Sequence, residues 1–477
     1  MSSAQGNTFR ERAGAALLDG ELRGNFRRAM DGLMGKRAVQ FSDEDEWDRL
    51  RSLGESVRRR ALSKLPDLLE QLEENLIANG IKVHWAETVE EANGIVLGIL
   101  QARNAKTVVK GKSMVSEEMH LNDFLGKHGI KALEADLGEY IVQMAGETPS
   151  HIIMPAIHKN RIQIAKLFKE KIKDFTYTED AGEMTAVARA ELRREFYEAD
   201  AGLSGVNFAV AETGTLCLVE NEGNGRMCTT VPPVHIAVTG IDKVVEKLED
   251  VPPLFSLLTR SATGQPVTTY FNMISGPRKE TDRDGPEEVH LILLDNGRTR
   301  IYADKETRPS LQCIRCGACM NHCPVYTRVG GHAYGGIYPG PIGKILTPQI
   351  DGMGQYGDLP SASSLCNACV EVCPVKIPIA QVLVRLRDEA AGHCSRPMVK
   401  ESGAKKSALQ DMVWSGWKWM HESPSAYKFM TGVLTKTGNM TPASMPMLKE
   451  WTSVRSKPKF AKKTLHQMAK EKGMADE

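Results

Sequence analysis

No stretch of this sequence approaches the roughly 18 consecutive apolar residues that a membrane-spanning helix needs; the run Ile95–Leu100 is far shorter. The opening residues, Met1-Ser-Ser-Ala-Gln-Gly-Asn7, lack the basic-then-apolar order of a secretory signal. Net charge is nearly absent: 61 Lys and Arg stand against 60 Asp and Glu, so no global field draws the chain to nucleic acid. No low-complexity tract appears, and no repeat outside one pair of cysteine runs. A dinucleotide fingerprint is missing too, since Gly223-Asn-Gly225 has neither a third glycine nor a helix context; no bound nicotinamide is expected. Cysteines are few, ten in 477 residues, and bunched rather than scattered as disulfides would be. That usage suits a reducing interior, and the expected compartment is the cytoplasm. The rest of the composition, 41% hydrophobic and 25% charged, is that of a globular chain with room for two or three domains.

What is present is organised around Cys313-Ile-Arg-Cys316-Gly-Ala-Cys319-Met-Asn-His-Cys323-Pro324, which reads C-x2-C-x2-C-x3-C-P. A shorter copy follows at Cys366-Asn-Ala-Cys369-Val-Glu-Val-Cys373-Pro374, and the two runs hold seven of the ten cysteines. In the two-cluster ferredoxin pattern each iron–sulfur cube takes three thiolates from one run and the remote cysteine of the other. Cluster one then draws on Cys313, Cys316, Cys319 and Cys373, and cluster two on Cys323, Cys366 and Cys369. The second set is one ligand short: three residues before Cys366 stands Ser363 where a full motif has cysteine. Three outcomes are open there: a three-iron cluster, a four-iron cluster with a non-cysteine fourth ligand, or recruitment of Cys394. A hydroxyl is a poor match for iron–sulfur chemistry, and the favoured reading is two 4Fe-4S clusters, the second with an exchangeable corner. Zinc is the rival; it usually takes separated C-x2-C pairs, which three thiolates at consecutive two-residue gaps do not resemble. Cys217 and Cys228 read as buried small hydrophobes.

Around these runs the pattern changes along the chain. Residues 1–65 read as charged helices, with the arginines of Phe9–Gly35 on a solvated face, and Leu62–Asn79 as an amphipathic helix. Strands are expected at Ile81–Trp85, Thr107–Lys110, Ile130–Glu134, His151–Met154, within 202–210, and at Thr215–Val219, Val234–Val238 and Val289–Leu294. Helices are expected at Thr88–Ala102, Asn160–Lys169, Thr185–Ala199, Ile241–Leu248 and Phe255–Thr259, with Pro252–Pro253 marking a loop. Alternating strands and helices with short connections define an α/β domain with a largely parallel sheet over 66–303. The cluster region covers 304–390, and its Gly- and Pro-rich middle, Gly330–Gly343, is expected to be irregular. A tail, 391–477, carries Trp414, Trp417, Trp419 and Trp451 with a basic stretch after them. Packing and partner docking compete as its role, with membrane contact peripheral at most.

Four further stretches carry a resemblance: Gly111-Lys-Ser-Met-Val-Ser-Glu-Glu118, Pro149-Ser-His-Ile-Ile-Met-Pro-Ala-Ile-His158, Gly205-Val-Asn-Phe-Ala-Val-Ala-Glu-Thr-Gly-Thr215 and Asn221-Glu-Gly-Asn-Gly-Arg226. They are similar to the lactate-utilisation (LUD) domain. Together with the cysteine runs, Gly331-His-Ala-Tyr-Gly335 and Tyr338-Pro-Gly-Pro-Ile-Gly343, they resemble the LutB family of lactate-utilisation iron–sulfur proteins over essentially the full length. The resemblance implies a fold like the NagB, ribose-phosphate isomerase and CoA-transferase group, followed by an α-helical ferredoxin-type domain and a helical tail. It implies an electron-transfer component of a system oxidising L-lactate to pyruvate, with LutA-like and LutC-like partner proteins. The family pattern likewise has seven motif cysteines.

From the residues alone, Lys110 and Lys112 flank a glycine where a strand enters a helix, a place that favours an anion; Ser275-Gly-Pro-Arg278 adds a second basic turn. The blander reading makes these tight turns with solvated lysines. His120, His151, His158 and His235 read as packed or surface residues rather than catalytic bases. Three roles then compete: an electron relay, an enzyme whose LUD domain binds lactate, and a lactate sensor.

Overall fold

The apolar runs between glycine turns become the strands of a parallel sheet. In the computed structural model, which describes residues 8–392, 408–442, 444, 452 and 455–474, the strands are β1 (Lys82–Ala86), β2 (Thr107–Lys110), β3 (Lys131–Glu134), β4 (Ala201–Gly205), β5 (Phe208–Val210), β6 (Thr215–Glu220), β7 (Val234–Gly240), β8 (Val244–Val245), β9 (Tyr270–Ile274) and β10 (Glu288–Leu294). Six of them form one sheet in the order β1-β10-β7-β4-β2-β3, with every pairing parallel. Its inner strands are covered on both faces, which is why β7 and β10 read as nearly continuous apolar runs. Parallel pairing needs crossover helices. One is Val89–Ala102, capped by Thr88, whose Oγ1 accepts the Glu91 N–H at 3.2 Å.

The other four strands form a smaller sheet, β8-β5-β6-β9, built on the antiparallel β5–β6 hairpin. Phe208–Ala211, Leu216 and Cys217 of that sheet share one apolar core with the cysteine runs and with Phe26, Met30 and Val57 of the N-terminal helices. A second core, including Val96, Leu121 and Ile292, fills one face of the large sheet. The chain divides into two compact units, 1–404 and 405–477. Within the first, the six-stranded sheet, the cysteine region and the helices Phe9–Leu18, Gly20–Gln40, Glu44–Ser63 and Leu65–Ala78 are continuous. The second has helices Ala408–Glu422, Pro424–Thr437 and Leu465–Glu471, and its Trp414, Trp417 and Trp419 are exposed. Among the described residues no helix is long and apolar enough to cross a membrane.

Several expected elements take another form. His151–Met154 is a turn, because His151 Nδ1 accepts the N–H groups of Ile153 and Met154 at 3.0 and 3.2 Å and takes them from any ladder. Pro252 and Pro253 lie in the first turn of the helix Val251–Ala262, where a missing N–H costs nothing. Ile241–Leu248 is no single helix: a 3-10 turn at Ile241–Lys243 gives way to β8, which pairs with β5. Leu62–Asn79 is broken at Lys64. Gly340, at φ +71°, and Pro341 open a helix, Gly340–Ile350, where an irregular segment was expected. Arg27 keeps a solvated position, but Arg12 Nε donates to the Ala333 carbonyl at 2.9 Å.

Candidate iron–sulfur site

Both cysteine runs adopt the same backbone. In the first, Arg315 and Gly317 flank Cys316 with φ of +61° and +84°; in the second, Leu365 and Asn367 flank Cys366 with +53° and +69°. Left-handed residues on either side turn the chain around the middle cysteine, and three of these four are not glycine, so surrounding contacts must hold them there. A four-residue helical turn follows each time, Ala318–Asn321 and Ala368–Glu371. The hydrogen bonds repeat as well. Arg315 N–H donates to Cys313 Sγ at 3.3 Å, and Leu365 N–H donates to Ser363 Oγ at 3.2 Å. After the Cys-Pro pairs, Tyr326 N–H reaches Cys323 Sγ at 3.5 Å and Ile377 N–H reaches Cys373 Sγ at 3.3 Å. Ser363 therefore occupies the place in its run that Cys313 occupies in the other.

Among the described residues no three His, Cys, Asp or Glu side chains converge closely enough to hold a single metal ion. The sulfurs fall instead into two sets. Burial raises the Cys319 thiol far above its usual value, and Cys316, Cys313, Cys369 and Cys373 add to the shift. Burial lifts Cys373 to about 11, with Cys313 of the other run contributing. Burial brings Cys369 to about 12; the Cys323 and Cys366 sulfurs push it up and Lys344 pulls against them. Cys373 thus sits with the first three cysteines, while Cys323, Cys366, Cys369 and Ser363 line one narrow cavity. Cys394 lies outside the described residues. Cys217 and Cys228 are fully buried in β6 and the helix Asn224–Thr230.

The surroundings of the first set are cationic. Arg58, fully buried, donates to the carbonyls of Gln312 at 3.2 Å and Leu311 at 3.1 Å. Lys243 Nζ donates to the Cys313 carbonyl at 2.8 Å, and Arg51 to that of Cys373 at 3.2 Å. Arg37 Nε and Nη2 and Arg315 Nε and Nη1 are buried without a hydrogen-bond partner. Arg37 lies over the Trp47 ring at 4.6 Å and Arg315 over the Tyr338 ring at 4.8 Å; their N–H groups without hydrogen-bond partners, near Cys316 and Cys313, fit a negatively charged group there. Beside the second set, Arg387 donates to the Ser363 carbonyl at 2.7 Å, and one buried cation faces a sulfur. Lys344, 1% exposed, directs Nζ to Cys323 Sγ at 3.4 Å and lies 5.6 Å from the Tyr334 ring. Sequence reasoning missed Lys344, because it belongs to the helix that was expected to be irregular.

A buried ionic chain ties the sheet to the first run. Arg298 pairs with Glu118 at 2.6 Å and with Asp242 at 2.7 Å; Tyr338 also donates to Glu118. Asp242 lies 3.7 Å from Lys243 and 3.8 Å from Arg315. Burial, with Arg315 nearby, brings Lys243 down to about 7. The anion role expected of Lys110 fails, since its buried Nζ is taken by Glu134 at 2.6 Å and Asn122 at 2.7 Å. Arg278 is spent on Glu287 at 3.0 Å. Lys112 keeps a Nζ with no hydrogen-bond partner. Of the histidines, His120 is exposed, His151 meets Asn321 at 3.0 Å, His158 lies between Ser150 and Glu147 at 2.7 and 2.6 Å, and His235 faces Ser204 at 2.8 Å.

A parallel LUD sheet fused to a ferredoxin-type pair of cysteine runs defines the chain as an iron–sulfur protein of the LUD class. Family comparison agrees: the LUD domain matches residues 69–294, a 4Fe-4S dicluster domain 309–377, and the C-terminal region of lactate utilisation protein B 385–474. Lactate utilization protein B of Bacillus licheniformis is 42% identical over 456 residues, covering 94% of each chain. That of Bacillus subtilis is 42% identical over 461 residues, covering 95% of this chain and 94% of its own. The chain belongs to the lactate utilisation protein B family, and its role lies in lactate utilisation. A crystal structure of a DUF162 family protein from Deinococcus radiodurans is 17% identical and spans 48% of this chain and 98% of its own, at a TM-score of 0.29, too low to speak to the fold.

Proposed function

We propose that this chain is the electron-transfer subunit of a cytoplasmic system that oxidises L-lactate to pyruvate. Cys313, Cys316, Cys319 and Cys373 hold one 4Fe-4S cluster; Cys323, Cys366 and Cys369 hold a second, with Ser363 at its open corner. The observation that carries the reading is the exchange of remote cysteines, Cys373 lying with the first run and Cys323 with the second. When bound, the clusters supply one-electron carriers. The chain's own residues supply the rest: backbone N–H groups donate to Cys313, Cys323 and Cys373, Lys344 donates to Cys323, and the arginines around the first run offset its negative charge. LutA-like and LutC-like proteins are the proposed partners.

The test is anaerobic reduction of the purified chain by L-lactate, followed as bleaching of the cluster absorbance. A relay bleaches only after the partner proteins are added. Bleaching of the chain alone would make it the oxidising enzyme, a reading favoured by one observation, the cavity beside the first run described next. A colourless protein with stoichiometric zinc would overturn both.

A further inference from the structure

Beside the first cysteine run lies a cavity of about 360 Å³. All four stretches that carry the LUD resemblance contribute to its wall, through 111–115, 152–154, 205–207 and 221–225, and Ile314 and Arg315 of the cysteine run complete it. Distant segments of the LUD domain thus meet the cluster region at one hollow.

Three cations line this cavity: Lys112, Lys243 and Arg315. Arg315 is 9% exposed, and two of its nitrogens lack a hydrogen-bond partner, as does Lys112 Nζ. Lys112 has Glu139 3.8 Å away, but burial lifts that carboxyl well above the usual carboxylate range, so it is a weak counter-charge. Asp242 is shared among Arg298, Lys243 and Arg315. The negative charge of a bound cluster falls on Arg315; Lys112, on the LUD side, is left to be answered by something in the cavity.

The remaining lining narrows the choice. Glu220 accepts from Gly225 N–H, Arg226 N–H and Asn272 Nδ2 at 2.6 to 2.8 Å, and Asp136 lies on the same lining; Glu222 lies there too, its carboxyl raised by burial. Those acids oppose a second negative charge on a ligand, which disfavours phosphates and dicarboxylates. Ile153, Met154, Val206 and Leu218 give an apolar wall for a short alkyl group. Ser113 Oγ accepts from Ser116 N–H at 3.2 Å and keeps its proton to donate to a hydroxyl or keto oxygen.

We propose that this cavity binds a small 2-hydroxy or 2-oxo monocarboxylate, with Lys112 holding its carboxylate beside the first cysteine run. The inference rests on the lactate-utilisation reading only in the choice of a 2-substituted acid; the monocarboxylate follows from the charges. The test is anaerobic titration calorimetry on the full-length protein with L-lactate, pyruvate, lactamide and inorganic phosphate as separate probes. Saturable binding of lactate or pyruvate is expected, with none for the neutral amide and weaker binding for phosphate. Lys112→Met should weaken it by about tenfold or more, while leaving the cluster EPR signals unchanged, because Lys112 lies outside both cysteine runs. Arg315→Lys, which keeps the charge but loses the fork, should weaken it less than Lys112→Met. No saturable binding of either acid, tighter binding of phosphate, or affinity indifferent to Lys112→Met would each overturn the site. Iron and sulfide content of the same sample decides the cluster assignment separately.

Discussion

At the scale of single residues, two side chains distinguish the second cysteine set from the first. Lys344 is a buried ammonium hydrogen-bonded to Cys323 Sγ. A cation so placed favours the more negative, reduced state of a cluster held there. Lys344→Met should lower the potential of that cluster by roughly 60 mV, the equivalent of a tenfold one-electron equilibrium shift, and leave the other cluster's potential in place; redox titration followed by EPR measures both. Ser363 accepts the hydrogen bond that Cys313 accepts in the companion run. Ser363→Cys should therefore place a thiolate at the vacant corner and convert a three-iron EPR signal, or one sensitive to added ligands, into that of a fully cysteine-ligated cluster. An unchanged spectrum would remove Ser363 from the site. Its position was legible from spacing alone, since the two runs align residue by residue. Lys344 was not legible, because 21 residues separate it from Cys323 and only the folded helix Gly340–Ile350 brings them together.

At the scale of elements, the strand β2 and the helix opened by Thr88 could be read directly, since local pattern and capping decide them. The turn at His151 and the pairing of Lys110 with Glu134 could not, because each depends on a partner fixed only by the fold. Two strand positions give further checks. β4 runs so close to the helix Asn224–Thr230 that a Cβ on Gly202 would stand 1.9 Å from the Cys228 carbonyl oxygen. Gly202→Ala should cost about 3 kcal/mol and lower the melting temperature of the first unit by several degrees. In β7, burial depresses His235 to about 3. The unfolded chain binds that proton below about pH 6.5 and the folded chain refuses it, so stability should fall as pH drops from 6.5 toward 3, by up to about 1.4 kcal/mol per unit. His235→Gln should flatten that dependence in melting curves recorded between pH 6.5 and 4.

At the scale of the whole molecule, the LUD sheet, the N-terminal helices and the cysteine region share a core, so the clusters are not carried on a detachable module. The two ends of the cluster region nevertheless meet different surroundings. Cys313, Cys316, Cys319 and Cys373 are all buried, and Ile314 and Arg315 of their run line the cavity of the LUD domain, whereas in the second set Cys323 and Cys369 are buried but Cys366, with its neighbours Ser364, Leu365 and Asn367, is exposed. Under the proposed assignment the first set faces the cavity and the second the surface.

The same difference sets an order of decay. Oxygen reaches the exposed Cys366 before any of the buried cysteines, so iron loss in air should be biphasic, with the fast phase belonging to the set that holds Cys366 and the slow phase to the set at Cys313. Iron content followed against time, with EPR to assign each phase, measures it; a single phase would contradict it. Under the proposed relay, air exposure would then keep the cavity-side carrier and remove the surface-side one.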